Sequence, residues 1–184
     1  RQRQMCIRDS RLVVRTDYAD GFRKNIFLNQ SDTSKKDELT IRYKLNWDIS
    51  ETTDVNFLLS KVDMDDPADI WTIDGSLNTL SDRPGMDSQE TDSVGIKLLK
   101  NFNHFDLQSF TSFTKTDVVF SYDADWGNPD SHFPYIYDYF SETFRKRDTF
   151  SQEIRFLSKN INFSKENPFE WIFGFHLSEL EEIN

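Results

Sequence analysis

The residues best suited to binding a small ligand are aromatic and imidazole side chains in two connecting segments: Trp71 in residues 65–91, and a larger group in residues 122–144. Both segments are rich in Asp, Asn, Gly, Ser and Pro, as is typical of loops. Aromatic rings offer a large contact area to ligand rings or sugar faces, and loops on a rigid scaffold commonly carry binding. The alternative is that these rings pack within their own loops. The predicted ligand-binding residues are Trp71, Trp126, His132, Tyr135 and Tyr137.

No pattern in the sequence predicts catalysis, a metal centre or a cofactor. The three histidines, His104, His132 and His176, lack the spacing of metal ligands, and the single cysteine, Cys6, excludes a multi-cysteine site. The sequence contains no Gly-rich phosphate loop, no G-x-S-x-G motif and no H-E-x-x-H motif. We therefore predict a protein that is not an enzyme and that uses neither a metal nor a cofactor.

Negative charge is concentrated in the same connecting segments. The net charge of the chain is −10; residues 65–93 hold eight acids and one base, and residues 123–142 hold five acids and no base. This balance argues against a nucleic-acid partner and favours cationic or neutral ligands near the loops. The stretch from Asp63 to Asp69 is acidic enough to suggest Ca²⁺, but it lacks the glycine and the terminal glutamate of an EF-hand loop. We expect a solvated acidic loop there.

The elements that must position these loops are predicted by alternation of apolar and polar residues. From Leu39 to Trp47, every odd position is apolar and every even position is polar or charged, which is the period of a β-strand with two unlike faces. In the fifth predicted strand the alternation does not assign one apolar face, because Leu107 and Phe113 occupy odd positions and Phe110 occupies an even one. The seven predicted strands cover residues 11–18, 37–48, 53–64, 92–101, 105–121, 145–158 and 169–180.

The connections between the predicted strands alternate between long and short. Short turns at one end of the strands and long loops at the other are typical of an outer-membrane β-barrel. Aromatic residues near strand ends, such as Tyr43, Trp47 and Trp171, fit the interfacial girdles of such a barrel. The sequence therefore predicts an all-β fold, an antiparallel up-and-down meander of about seven strands that forms a partial wall of a large transmembrane β-barrel. The long connections are residues 19–36, 65–91 and 122–144, and the short ones are 49–52, 102–104 and 159–168.

Four segments of the chain together resemble a known family. Their order and spacing are similar to those of the β-barrel domain of TonB-dependent outer-membrane receptors, over about residues 11–182. No single segment is specific, so the ordered set carries the resemblance. The segments are Asp20-Gly21-Phe22 followed by Asn25; Asp37-Glu38-Leu39 through Arg42, Lys44, Leu45 and Trp47; Phe150 through Phe156; and Trp171-Ile172-Phe173-Gly174.

The resemblance implies an active-transport receptor in the outer membrane of a Gram-negative bacterium. Such receptors take up scarce nutrients, most often a ferric siderophore and otherwise cobalamin or a saccharide, through barrels of about 22 strands with a plugged lumen. The implied partners are outer-membrane lipid, lipopolysaccharide, the small ligand, and the TonB–ExbB–ExbD complex acting through a plug domain. Because no segment matches the plug, the TonB box or the closing strand, we expect residues 11–184 to be an internal barrel fragment.

The first ten residues, RQRQMCIRDS, do not fit the pattern that follows them. They lack the apolar region of a signal peptide, and they resemble the conceptual translation of a sequencing adapter. We therefore expect residues 1–10 to be a non-native tail. The alternative is a genuine disordered tail.

Two other functions are compatible with the strand pattern. A passive porin-type barrel would share the alternating strands but would have no plug and no TonB box upstream. A soluble all-β module would bind carbohydrate through the loop aromatics and would be monodisperse without detergent. The barrel wall, in contrast, is expected to be insoluble unless its apolar face is covered.

Overall fold

Seven long antiparallel strands follow one another across one sheet in the order in which they occur in the chain. A computed structural model describes residues 7–159 and 169–184. Its long strands have the order β1-β4-β5-β7-β8-β9-β10, and three two-residue strands form a second small sheet with the order β3-β2-β6. The strands are β1 (Ile7–Ala19), β2 (Lys24–Asn25), β3 (Gln30–Ser31), β4 (Lys36–Ser50), β5 (Thr53–Pro67), β6 (Asn78–Thr79), β7 (Met86–Asn101), β8 (Phe105–Asp123), β9 (Phe140–Ser158) and β10 (Ile172–Ile183).

The predicted all-β meander of seven antiparallel strands is confirmed. The large sheet is open, so β1 and β10 each keep one unpaired edge. Within the described residues there is no helix that is long and apolar enough to cross a membrane. Residues 1–6 of the predicted tail, Cys6 among them, lie outside the described residues, and β1 begins at Ile7.

Most strands extend further than the sequence pattern predicts. β7 begins at Met86 rather than at residue 92, and β9 begins at Phe140 rather than at residue 145. Pairing between backbones continues there because it needs no alternation of side chains. The last strand begins later than predicted, at Ile172, since the N–H of Trp171 donates to Ser158 Oγ at 2.7 Å just before the ladder starts.

Cross-strand register sorts the side chains of the large sheet onto an apolar face and a polar face. The register resolves the fifth predicted strand, because Leu107 and Phe113 lie on the apolar face and Phe110 lies on the polar face. There, Lys97 Nζ and Arg155 Cζ lie 5.0 Å and 5.9 Å from the centroid of the Phe110 ring. One apolar row across six strands consists of Leu12, Tyr43, Leu59, Val94, Phe113 and Phe150.

The apolar face is limited to a band across the strands. In β8 the band runs from Phe105 to Phe113. At the end nearest the short turns, aromatic rings follow one another across the sheet. The ring centroids of Phe102 and Phe105 are 4.7 Å apart, those of Phe105 and Phe156 are 5.8 Å apart, and those of Phe156 and Phe173 are 6.3 Å apart. An aromatic edge therefore borders the band on this side from the β7–β8 turn to β10.

A row of alternating charges ends the apolar band on the side of the long loops. Across β5, β7, β8 and β9, the register aligns Lys61, Asp92, Lys115 and Asp148. Lys61 Nζ lies 4.0 Å from the Asp92 carboxylate and also donates a hydrogen bond to Glu90. Charged and apolar side chains are thus segregated along this face of the sheet as well as between its two faces.

Among the described side chains, hardly any apolar group is buried. Val55 and Ala68 are the buried hydrophobic residues, while Leu59, Phe113 and Phe175 are 49%, 42% and 58% exposed. A soluble domain of comparable length normally buries one contiguous hydrophobic core. A large exposed apolar patch marks a surface that contacts another apolar phase or molecule. The apolar band of this sheet is therefore an exposed apolar surface of the kind that forms a docking or membrane contact in other proteins.

Candidate functional site: the loop cap

The three long loops pack together at one end of the sheet as a single folded layer. The first loop joins the second by parallel pairing of β2 with β6. The second joins the third because Asp82 N donates to the Gly127 carbonyl at 2.9 Å and Asn128 Nδ2 donates to the Leu80 carbonyl at 3.0 Å. We call this layer the loop cap; it comprises residues 20–35, 68–85 and 124–139.

Asp69 is the centre of the hydrogen-bond network in the loop cap. Its carboxylate accepts hydrogen bonds from Asn25 Nδ2 at 3.0 Å, from Thr79 Oγ1 at 2.7 Å and from Ser81 Oγ at 2.6 Å. Asp69 is 3% exposed, and Asn25 and Thr79 are fully buried. A buried carboxylate is tolerated when donors satisfy its oxygens. One side chain therefore fastens the first loop to the second.

The acidic stretch that ends at Asp69 is not the solvated loop that the sequence predicts. β5 continues through this stretch to Pro67, and Ala68 and Asp69 are buried. The prediction was wrong because the nearest stabilising donor on the first loop, Asn25, lies 44 positions away in the chain. A local count of acids contains no information on such a distant partner.

Three of the predicted ligand-binding residues come together in the third loop. The ring centroids of Tyr135 and Tyr137 are 6.5 Å apart with their planes 24° from parallel, and those of Tyr137 and Tyr139 are 6.0 Å apart at 29°. The His132 ring meets Tyr137 edge-on at 5.2 Å. Tyr135 and Tyr139 are 67% and 61% exposed. We call these four residues the tyrosine ladder.

Tyr139 belongs to this cluster although it is absent from the predicted set. The signal for it in the sequence is the spacing of two between successive tyrosines, which places alternate side chains on one side of an extended segment. Asp125 holds the ladder in place, since its Oδ2 accepts from Tyr139 N at 2.8 Å and its backbone oxygen lies 3.1 Å from His132 Nε2. Asp125 thus holds two members of the ladder, Tyr139 and His132, in place within their own loop.

Trp71 and Trp126 line a different part of the loop cap. Together with Asp69 and Asp123 they surround a space too small for a water-sized sphere. The Trp71 ring also packs against Tyr122, at 5.1 Å between centroids. Packing inside the cap therefore accounts for the placement of Trp71, whereas Trp126 remains 42% exposed. Ligand binding by any of the five predicted residues stays a prediction.

Asp123 ends β8 beyond the apolar band, and its carboxyl group has a raised pKa. Burial, together with the negative charges of Asp125 and Asp82, raises the pKa of this carboxyl to about 6. Its Oδ1 accepts from Asp125 N at 3.2 Å, whereas its Oδ2 is buried with no hydrogen-bond partner. Protonation of Asp123 therefore removes its repulsion with Asp82 of the second loop and with Asp125 of the third loop.

Within residues 7–159 and 169–184, no group of three or more His, Cys, Asp or Glu side chains is arranged to hold a metal ion. No protein-family model, no curated protein and no solved structure matches the chain. The function is therefore inferred from the geometry of the sheet, the loop cap and the residues that build them.

Replacing Asp69 with Ala is expected to loosen the loop cap. Each buried donor left without its acceptor costs on the order of 1–3 kcal/mol, and three side-chain donors bind this carboxylate. Hydrogen exchange of the Lys24 and Ile26 amides, which donate to the second loop, should accelerate at least tenfold in detergent micelles.

The matched control for this substitution is Asp74→Ala. Asp74 lies in the same loop, but its carboxylate accepts only within its own turn, from Ser76 N at 2.9 Å. The Lys24 and Ile26 amides should keep their protection in this variant. Unchanged protection in Asp69→Ala would show that the carboxylate does not hold the loops together.

The stability of the loop cap is expected to fall as the pH rises through about 6. The folded-state pKa of Asp123 is above its ordinary value. Its protonated form therefore stabilises the folded cap, fully below about pH 4. This contribution is lost as the pH approaches and passes the folded-state pKa. Exchange of the Asp82 amide, corrected for the intrinsic rate, should accelerate between pH 4 and pH 7. Asp123→Asn should flatten this profile, whereas a substitution of the exposed Asp130, Asp130→Asn, should retain it.

Proposed function

We propose that this chain is part of the wall of a transmembrane β-barrel in a Gram-negative outer membrane, and that the barrel is a TonB-dependent receptor. The observation that supports the barrel wall is the segregated apolar face of the seven-stranded sheet. Leu59 and Phe113 are exposed within it, and the charged row at Lys61 borders it. Hydrocarbon is the apolar phase that would cover such a band.

The height of the band suits a thin bilayer. A transmembrane β-strand needs about 9–11 residues when it is tilted, and the band in β8 runs from Phe105 to Phe113. Aromatic rings border transmembrane barrels at both interfaces, which is the arrangement of Phe102, Phe105 and Phe156 at one edge. The charged row would then lie among the lipid headgroups on the side of the long loops.

The open edges of the sheet also favour a larger barrel. Unpaired strand edges promote aggregation in water, and backbone groups in lipid must all be paired. β1 and β10 each leave one edge unpaired, and every residue of β10 is exposed. Further strands on both sides would satisfy these edges, as in the large barrels of about 22 strands.

The resemblance in sequence favours the receptor over a passive porin. Two residues of its first segment hold the loop cap: Asn25 binds Asp69, and a Cβ on Gly21 would lie 2.6 Å from the backbone of Asp32. The ligand in this proposal is a scarce nutrient such as a ferric siderophore, captured at the loop cap. Energy would come from the TonB–ExbB–ExbD complex through a plug domain.

The barrel wall makes a direct prediction about the two faces of β8. Adjacent residues Ser112 and Phe113 lie on opposite faces and are both exposed. In a background with Cys6→Ser, a fluorophore on Phe113→Cys should be quenched by a brominated detergent, because the apolar face contacts the micelle. A fluorophore on Ser112→Cys should be quenched instead by aqueous iodide.

The soluble alternative gives the opposite outcome. A chain that is monodisperse in buffer without detergent, with both labels equally open to iodide, would contradict the barrel wall. Far-UV circular dichroism of each labelled variant checks that the strands have formed before quenching is compared.

The tyrosine ladder is the surface that we expect to capture the ligand in the intact receptor. An aromatic contact contributes about 0.5–1.5 kcal/mol beyond its buried area, so Tyr137→Ala should weaken ligand binding roughly threefold to tenfold. Fluorescence titration with one ferric trihydroxamate and one ferric tricatecholate measures this change. Tyr43→Ala, on the apolar face, is the control; equal affinities for all three proteins would remove the ladder from the site.

A further inference from the structure

The polar face of β1 and β4 carries four bases around one hollow, namely Arg11, Arg15, Arg42 and Lys44. In the register Arg11 lies opposite Lys44, and Val13 lies opposite Arg42. These residues line a hollow of about 400 Å³ on the sheet. The hollow is distinct from the loop cap, since none of its lining residues belongs to the cap.

Arg11, Arg42 and Lys44 differ from the other bases on the polar face of the described strands. No carboxylate of the described residues forms an ion pair with any of the three, whereas neighbouring Arg15 pairs with Asp17 at 2.9 Å. Of the other bases on this face whose side chains are described, Lys97 contacts the Phe110 ring, and the rest pair with carboxylates: Lys36 with Glu38, Arg145 and Arg147 with Glu182, and Arg155 with Glu153.

The spacing of the three bases brings their charges to a common small volume. Side chains directly opposite in an antiparallel pair have Cβ atoms roughly 4.5–5.5 Å apart, as for Arg11 and Lys44. Residues two apart on one strand, such as Arg42 and Lys44, are about 6.8 Å apart. Like charges facing each other destabilise a sheet. An anion bound between the three bases would offset this repulsion.

We propose that Arg11, Arg42 and Lys44 form a binding site for a small polyoxyanion, a molecule with two or more carboxylate or phosphate groups. The two guanidinium groups bind such groups with paired hydrogen bonds, and Lys44 adds a compact charge. The hollow has the volume of a small-molecule site. The site assigns a polyanionic ligand to the proposed receptor. Its role in transport rests on that proposed function.

The acidic loop cap does not prevent this binding. The negative charge of the loop segments favours cationic or neutral ligands there, but Asp69 is buried among donors and Asp138 pairs with Arg83. Arg42 follows the start of β4 at Lys36 by six residues, or about 20 Å along the strand. That distance exceeds the screening length of about 8 Å at physiological ionic strength.

Calorimetric titration of the chain in uncharged detergent micelles, with sodium pyrophosphate and with citrate separately, tests the site. The double variant Arg42→Gln and Lys44→Gln should bind the preferred anion at least tenfold more weakly than the original chain. The matched control, Lys61→Gln and Lys115→Gln, removes two charges from the opposite face and should bind as the original chain does. The tighter of the two anions distinguishes a phosphate ligand from a carboxylate ligand.

Folding of each variant is checked by its far-UV circular dichroism spectrum. The substitution Arg42→Lys is a milder change that keeps the positive charge but loses the paired hydrogen bonds of the guanidinium group. Weaker binding in Arg42→Lys, with the spectrum unchanged, supports the site. Absence of binding to both anions, or equal losses in the two double variants, overturns it. If the labels at positions 112 and 113 are quenched as the barrel wall predicts and neither anion binds, the anion site is contradicted but the barrel wall is not. Anion binding by a chain that is soluble without detergent would instead remove the barrel.

Discussion

The register of the seven long strands is the constraint on which the other features depend. Because side chains alternate along a strand, a slip by one residue would exchange the two faces of that strand. The observed pairing keeps Tyr43, Leu59, Val94 and Phe113 in one row. The same pairing aligns the charged row at Lys61 and sets Arg11 opposite Lys44. One backbone alignment thus produces the apolar band, its charged border and the basic hollow.

Burial in this protein is the reverse of that in a soluble domain. Its most buried side chains are polar and lie in the loop cap, where Asn25 and Thr79 are fully buried around Asp69. Hydrogen bonds whose partners are both buried become stronger in a low local dielectric. The sheet, in contrast, exposes its apolar band and relies on backbone pairing. Order at the loop end therefore comes from polar side-chain contacts, and order along the strands comes from backbone hydrogen bonds between neighbouring strands.

The sequence predicted the sheet well because alternation is a local signal, readable from Leu39 to Trp47 without any partner. Strand ends near the loops were harder, since backbone pairing at Met86 and Phe140 needs no side-chain pattern. The buried state of Asp69 depends on donors brought from another loop, so the local composition was misleading. Likewise, Arg11 and Lys44 lie opposite each other only through pairing between strands.

The interlocked loop cap has a consequence for molecules that recognise this surface from outside. Its outer surface is assembled from three separate stretches of sequence, joined by the pairing of β2 with β6 and by the contacts of Asp82 and Asn128. An antibody that recognises this end would therefore bind a conformational epitope. A peptide copied from a single loop would lack the neighbouring segments that give that loop its shape, and it would compete poorly for such a binder.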